Sequence, residues 1–436
     1  MVSNYTSPVT LVSKRSAKAI SLLLLATGYV TLHAAPKGVG ATSLPLQNKV
    51  LLSGGLLNLG NTCYLNSQLE CQYHIPLVRD LIITPVLNEE CNKTSESEEE
   101  DEDSSVKSKD NSLRKPSYGL LALQHLFSSM KVASLQGEGD PSLTASISTA
   151  TLCRALGINP YEQQDSGEFW KLLLPEIQYP RLERLYRGHY ESYIAALDGS
   201  GRERKRKETF LDLSLDITSF DSVYDSFNDM FTGGEVLSVK EGNGWRPEKG
   251  EDKVDALKGS SITRDGLPSI LQLHLMRFKY DWQTETMSKI NHRYIFPLDL
   301  NLGEICKDGK GEENLEMKDE SVIYDLQSIV VHSGEFGHGH YYAYIRPNIR
   351  ENKWFRFDDD RVTEVSFKEV KDDAYGGHVL ERRNHSSKST RGFLARVFSN
   401  RLARQNFGWG GKKSSAYMLQ YVKRSDIPFL FGTDEK

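Results

Sequence analysis

Three stretches of the chain hold residue types that could carry out covalent chemistry together. The first is Gly55-Leu56-Leu57-Asn58-Leu59-Gly60-Asn61-Thr62-Cys63-Tyr64-Leu65-Asn66-Ser67. A loop rich in Gly and Asn delivers Cys63 to the start of an apolar run that reads as a helix. Backbone N–H groups at a helix start favour an anion and lower a thiol pKa, so a thiolate nucleophile becomes accessible. Asn58, a little upstream, can turn its amide toward a developing oxyanion, as acyl transfer requires. A lone cysteine after a turn is more often buried and inert. The glycines and asparagines around Cys63 are what argue for chemistry.

The second stretch is His332-Ser333-Gly334-Glu335-Phe336-Gly337-His338-Gly339-His340-Tyr341-Tyr342-Ala343-Tyr344-Ile345. A strand ends in a glycine-rich turn and another begins at His340. His332, His338 and His340 are close enough in sequence that a metal site must be weighed, with Glu335 nearby. No further ligand at the usual spacing completes such a site. The other reading makes His340 a general base.

The third stretch is Lys353-Trp354-Phe355-Arg356-Phe357-Asp358-Asp359-Asp360. Tyr341–Arg346 and Lys353–Phe357 read as a hairpin. If Arg346 faces Lys353 the paired indices sum to 699, and His340 faces Asp359. A shift of one puts Asp358 opposite instead. Directly opposed Cβ atoms lie ~4.5–5.5 Å apart, so one carboxylate can reach the imidazole and hold its tautomer. Alone, three aspartates would read as a solvated turn. Taken together, Cys63 attacks a carbonyl, and His340 takes the thiol proton and gives it to the leaving amine. Water then releases the acyl group, which is the Cys-His-Asp logic of papain-like hydrolases.

Elements of two kinds must position these groups. From Tyr118 to Tyr190 the pattern is helical, and Asp165–Leu174 reads as a helix starting near Gln164. From Glu208 onward it turns to strands, with clean alternation over Ile270–Phe278 and further strands at Leu326–His332 and Tyr341–Arg346. Helices first and mostly antiparallel strands after predict an α+β fold.

The chain has 436 residues, 38% hydrophobic and 10% aromatic, with a net charge of -5. That supports a real core and names no partner. Its cysteines, Cys63, Cys71, Cys91, Cys153 and Cys306, are few and odd in number, with no C-x-x-C pair. They fit a reducing compartment better than a disulfide scaffold. Residues 1–50 read as an N-terminal extension, residues 51–424 as the folded domain and 425–436 as a C-terminal tail. Within the domain lie an acidic, disordered insert at about 88–115 and a basic insert at about 382–413. Lys14, Arg15 and Lys18 precede an apolar run from Ala19 to about Val30, followed by Leu32-His33-Ala34-Ala35-Pro36. This stretch could be a signal or membrane anchor, although it is short for a span and has a poor cleavage site.

The Asn58–Ser67 segment, and Gly339-His340-Tyr341 followed by Trp354, Phe357 and Asp358, resemble the Cys and His boxes of the ubiquitin-specific proteases. Gln163-Gln164-Asp165-Ser166-Gly167-Glu168-Phe169, Leu273–Phe278 and Ala416–Leu419 resemble other blocks of that family. The match runs from about Leu51 to Arg424. Leu275–Asp281, Lys289-Ile290-Asn291 and Phe296-Pro297 look closest to the herpesvirus-associated member. The resemblance implies a papain-like fold of helical thumb, palm and antiparallel fingers. It also implies deubiquitinase activity with ubiquitin and ubiquitinated proteins as partners.

Asp358 takes the family position of the third catalytic residue, and adjacent Asp359 could share its work. By the same resemblance Gln163, Asp165, Tyr341 and Tyr417 would bind the ubiquitin tail, and Gly334–Gly339 would form a loop over it. No cofactor is implied. Without the two C-x-x-C pairs of many members, no zinc is expected in the fingers. Leu69-Glu70 stands where the family often has Leu-Gln. Relatives suggest cytoplasm or nucleus.

Other classes stay open. A pseudoprotease would hold ubiquitin without cleaving it. A secreted or membrane-associated thiol peptidase would use the N-terminal stretch, and would carry glycans at Asn4, Asn92 or Asn384. The basic insert, with Phe393, Phe398, Phe407 and Trp409 among its cations, could take an acidic partner such as nucleic acid or an anionic membrane.

Overall fold

A computed structural model describes residues 50–85, 116–283, 285–307, 320–377 and 413–433. The expectations for the N-terminal stretch, the acidic insert, the glycan acceptors and the basic insert before Lys413 fall outside those residues.

The helical part comprises α1 (Cys63–Tyr73), α2 (Pro76–Ile83), α3 (Tyr118–Gln136), α4 (Ala150–Leu156) and α5 (Ser166–Glu176). Local chemistry sets their starts. Pro76 opens α2, where its missing N–H costs nothing. Ser117 accepts from Leu120 N at 3.1 Å to cap α3. Asp165 accepts from Gly167 N at 2.7 Å and Glu168 N at 3.2 Å to cap α5.

Strands β1 (Leu56–Leu57) and β2 (Ile147–Ser148) clip the loop before Cys63 to the helical part. Strands β3 (Gly188–Ala196), β4 (Glu203–Phe210), β6 (Gly234–Leu237) and β7 (Ala256–Ser261) form a four-stranded sheet in the order β4-β3-β7-β6. The main sheet brings together β5 (Leu213–Leu215), β8 (Ile270–Leu275), β12 (Ile323–Glu335), β13 (His338–Ile345), β14 (Trp354–Asp358), β15 (Arg361–Val365) and β16 (Ser414–Lys423). Its order is β15-β14-β13-β12-β16-β8-β5, and β11 (Asp299–Asn301) pairs with β12. β9 (Phe278–Asp281) and β10 (Thr286–Lys289) form a separate hairpin. The α+β expectation holds.

Strand alternation divides the core in two. Tyr341, Ala343, Ile345, Phe355 and Phe357 face the helices. Tyr342, Tyr344 and Trp354 face the opposite core with Phe227, Tyr294 and Tyr324. The Cys63 helix lies wholly buried on the first side, although half of its residues are polar. Those groups need partners. Gln72 donates to Gln420 Oε1 at 2.9 Å and accepts from Tyr186 Oη at 2.6 Å. Gln420 donates to Gln327 Oε1 at 3.0 Å. The network fastens α1 to β12 and β16 and fixes where Cys63 points.

The stretch expected as a C-terminal tail includes a helical turn, Ile427–Phe431, with Leu430 buried in the helical-side core. Its apolar run, Ile427-Pro428-Phe429-Leu430-Phe431, is too short to show a helical period in the sequence.

Candidate active site

Cys63 is the first residue of α1 and only 3% exposed. The loop before it is wound around Asn58, whose Oδ1 accepts from Gly60 N at 3.0 Å and Thr62 N at 3.2 Å. The helix N-terminus therefore meets the thiol with backbone N–H groups and the positive end of its dipole.

His340 lies near the start of β13. Its Nε2 is 2.6 Å from Asp358 Oδ1, and the ring lies near enough to the Cys63 thiol for the sulfur to favour the imidazolium. With Nε2 on the carboxylate, Nδ1 is the nitrogen left for sulfur. The bond to Asp358, then the nearby Cys63 sulfur, push the imidazole pKa up to about 10 against the opposing effect of burial. Asp358 is held below its ordinary range, first by its bond to His340. Its Oδ2 accepts from Arg356 Nη2 at 2.7 Å.

Asp359 is placed differently. Its Oδ2 accepts from Asn58 Nδ2 and its Oδ1 from Asn66 Nδ2, both at 2.8 Å. It stands 3.9 Å from His340 Nε2. Burial raises its pKa, while the two amide donors oppose that shift. Its φ of 53° turns the chain out of β14, and its carbonyl accepts from Leu56 N at 2.9 Å. Gly55 makes this approach possible, since a Cβ there would lie 2.3 Å from the Asp359 carbonyl oxygen.

One expectation needs correction. The β13–β14 register is Ala343↔Phe357, Tyr344↔Arg356 and Ile345↔Phe355, an index sum of 700 rather than 699. Arg346 leaves the hairpin ladder because its N–H goes to Gln327 O at 2.8 Å. Extended toward the site, this register sets Asp358 beside Tyr342, and the carboxylate reaches His340 diagonally on the same face. One N–H of the Asn58 amide is committed to Asp359, which leaves the other for an oxyanion.

The residues expected at the ubiquitin tail gather next to His340. Asp165 Oδ2 accepts from the Tyr417 hydroxyl. The Tyr417 and Tyr341 rings meet at 5.6 Å, edge to face. Gln163 donates to Gly339 O at 2.9 Å. Tyr341 and Tyr417 are 4% and 1% exposed, so they back the wall rather than present an open face. The glycine-rich turn is shorter than expected, because β12 and β13 pair out to Glu335↔His338.

The three histidines do not form a metal site. Among the described residues, the trio that could hold an ion is His340, Asp358 and Asp359. Both oxygens of each aspartate are already engaged, by His340 and Arg356 or by Asn58 and Asn66.

Sequence reading missed Asn66 and Arg356. Asn66 follows Cys63 by one helical step and Arg356 precedes Asp358 by one strand period, so periodicity applied outward from each would have found them.

Comparison with known proteins places the chain. A sequence profile described as ubiquitin carboxyl-terminal hydrolase matches residues 54–421. Ubiquitin C-terminal hydrolase 13 of Arabidopsis thaliana is 32% identical over 88% of this chain and 30% of its own length. Ubiquitin carboxyl-terminal hydrolase 15 of Schizosaccharomyces pombe is 30% identical over 86% of this chain and 29% of its own. For ubiquitin carboxyl-terminal hydrolase 7 of Caenorhabditis elegans the figures are 29%, 86% and 28%. The chain thus spans only about 30% of the length of the curated relatives it matches. With a profile match over most of its length and the Cys63–His340–Asp358 geometry in place, the chain belongs to the ubiquitin carboxyl-terminal hydrolase family.

Proposed function

We propose that this chain is a cysteine-type deubiquitinase that hydrolyses the peptide or isopeptide bond after the C-terminal glycine of ubiquitin. The observation that carries the proposal is one imidazole set between a thiol at the first residue of α1 and an oriented carboxylate, beside the Asp165–Tyr417 wall. The Cys63 proton passes to His340, and the thiolate attacks the scissile carbonyl. A backbone N–H at the start of α1 and the second N–H of Asn58 receive the oxyanion. As the C–N bond breaks, His340 gives its proton to the leaving amine. His340 then takes a proton from water, the hydroxide attacks the thioester, and Cys63 is released. Asp358 keeps the imidazole in the useful tautomer throughout.

The test is reaction with ubiquitin carrying a C-terminal thiol-reactive group, beside a Cys63→Ala control, with the adduct mapped by mass spectrometry. An adduct on Cys63 that disappears in the control is expected. Ubiquitin binding without an adduct would make the protein a pseudoprotease instead. Neither adduct nor binding would remove ubiquitin as the substrate.

Two finer assignments belong to the same proposal. Cys63, Cys71 and Cys153 are free and buried, in keeping with a cytoplasmic or nuclear site of action, which cell fractionation tests. The basic run 382–413 is a contact for an acidic partner, and nucleic-acid binding that weakens steeply with salt and is lost on its deletion would support that.

A further inference from the structure

Asp358 has two oxygens, and His340 uses one. Arg356 occupies the other. It precedes Asp358 by two residues on the same face of β14, and Nη2 donates to Oδ2 at 2.7 Å. The arginine is itself constrained. Its guanidinium lies over the Tyr342 ring, 4.1 Å from the centroid. The Tyr342 hydroxyl donates to Asp373 on the Phe367–Ala374 helix. Asp373 also accepts from Tyr344 Oη at 3.0 Å and from Ser414 Oγ at 2.6 Å. A carboxylate bound on one oxygen can rotate about χ2 and carry its acceptor out of the imidazole plane. Bound on both, it cannot. A planar guanidinium that is also stacked suits this task better than a lysine ammonium.

We propose that Arg356 is a positioning residue for the reaction. It fixes the Asp358 carboxylate against His340, and the Tyr342–Asp373 pair fixes Arg356. The inference rests on the proposed thiol chemistry but not on ubiquitin being the substrate. A solvated strand arginine would have no effect on the site. A purely electrostatic one would have the opposite effect on His340, because a nearby cation disfavours the imidazolium.

The experiment measures alkylation of Cys63 by iodoacetamide, mapped by mass spectrometry. At about pH 6.5, below an ordinary thiol pKa, only a thiolate paired with an imidazolium reacts quickly. Arg356→Ala is expected to slow alkylation about tenfold through lost orientation, with Arg356→Lys in between. Guanidinium chloride at about 50 mM, far below denaturing levels, should restore several-fold of the rate to Arg356→Ala. Sodium chloride at the same ionic strength should not.

With a ubiquitin substrate, kcat should fall without a change in KM, and the alkaline limb of kcat/KM should move down in pH. A wild-type alkylation rate in Arg356→Ala overturns the proposal. So does recovery no better with guanidinium than with sodium, an upward move of the alkaline limb, or slow alkylation of the wild type itself. If the wild type alkylates quickly but does not cleave ubiquitin, the deubiquitinase assignment fails and the alkylation series still decides the role of Arg356. If Arg356→Ala unfolds, as circular dichroism would show, Arg356→Lys carries the same test.

Discussion

Asp358 and Asp359 are adjacent and both lie near His340, yet their hydrogen-bond partners differ. Asp358 points to the side of Tyr342 and Arg356, where its neighbours are a cation and an imidazole and its pKa is lowered. Asp359 points to the helical side, where its neighbours are the neutral amides of Asn58 and Asn66 and burial raises its pKa. The end of β14 at Asp358 and the left-handed turn at Asp359 put two identical side chains into two kinds of environment. One orients a base. The other ties the Asn58 loop and the Cys63 helix to the end of β14.

The largest break in this comparison is Asp358→Ala. It leaves His340 without its acceptor, and kcat/KM on a ubiquitin–fluorophore substrate should fall by about 10³–10⁴. Asp359→Asn should do less. It puts an amide donor against the donors of Asn58 and Asn66, at a cost of about 1–3 kcal/mol in stability and a loosened Asn58. The expected fall in kcat is about 10- to 100-fold, within the range seen when one oxyanion donor is disturbed. Equal losses in the two variants would mean the aspartates share the third role.

The acid range gives a subtler contrast. Asp358, with a lowered folded pKa, contributes stability above its unfolded pKa of ~3.9, and that contribution is lost as pH falls through the folded value. Asp359, with a raised folded pKa, contributes below ~3.9 and loses the contribution as pH rises through its folded value. From about pH 3 to 5 the stability gap between wild type and Asp358→Asn should widen. The gap to Asp359→Asn should narrow over the same window. Urea midpoints for the three proteins would show this, and gaps moving in parallel would defeat it.

Much of this site was legible because its groups sit at the ends of strongly patterned elements. Cys63 follows a glycine-rich turn, and His340 and Asp358 end strands whose alternation is plain in sequence. The choice between Asp358 and Asp359 was not legible. A shift of one in register exchanges faces, and the register was set by Arg346 turning its N–H to β12. Nor could the partner of Asn58 be foreseen, since it depends on Asp359 adopting a left-handed φ at a non-glycine position. The buried polarity of α1 was equally hidden, because its glutamines are satisfied by strands far away in sequence.

The smallest effect on rate, under about twofold away from the reacting atoms, is expected from Glu70→Gln. Glu70 is buried on the helical side, with Oε1 accepting from Ser53 Oγ at 2.9 Å and Oε2 without a hydrogen bond. Burial pushes its pKa up to about 8, and burial holds His74 beside it down to about 3, so both are neutral at pH 7. The sign follows from linkage. Between 4.5 and about 8 the unfolded chain gives up the Glu70 proton while the folded chain keeps it, so stability falls as pH rises and levels off above 8. Glutamine cannot titrate and can still accept from Ser53. The melting temperature of Glu70→Gln should therefore match wild type near pH 4.5 and exceed it by a few degrees, in order of magnitude, at pH 8. A gap that does not change with pH would mean Glu70 is ionised in the fold. The helical side would then tolerate charge as the Arg356 side does, and burial alone would not explain why the two aspartates differ.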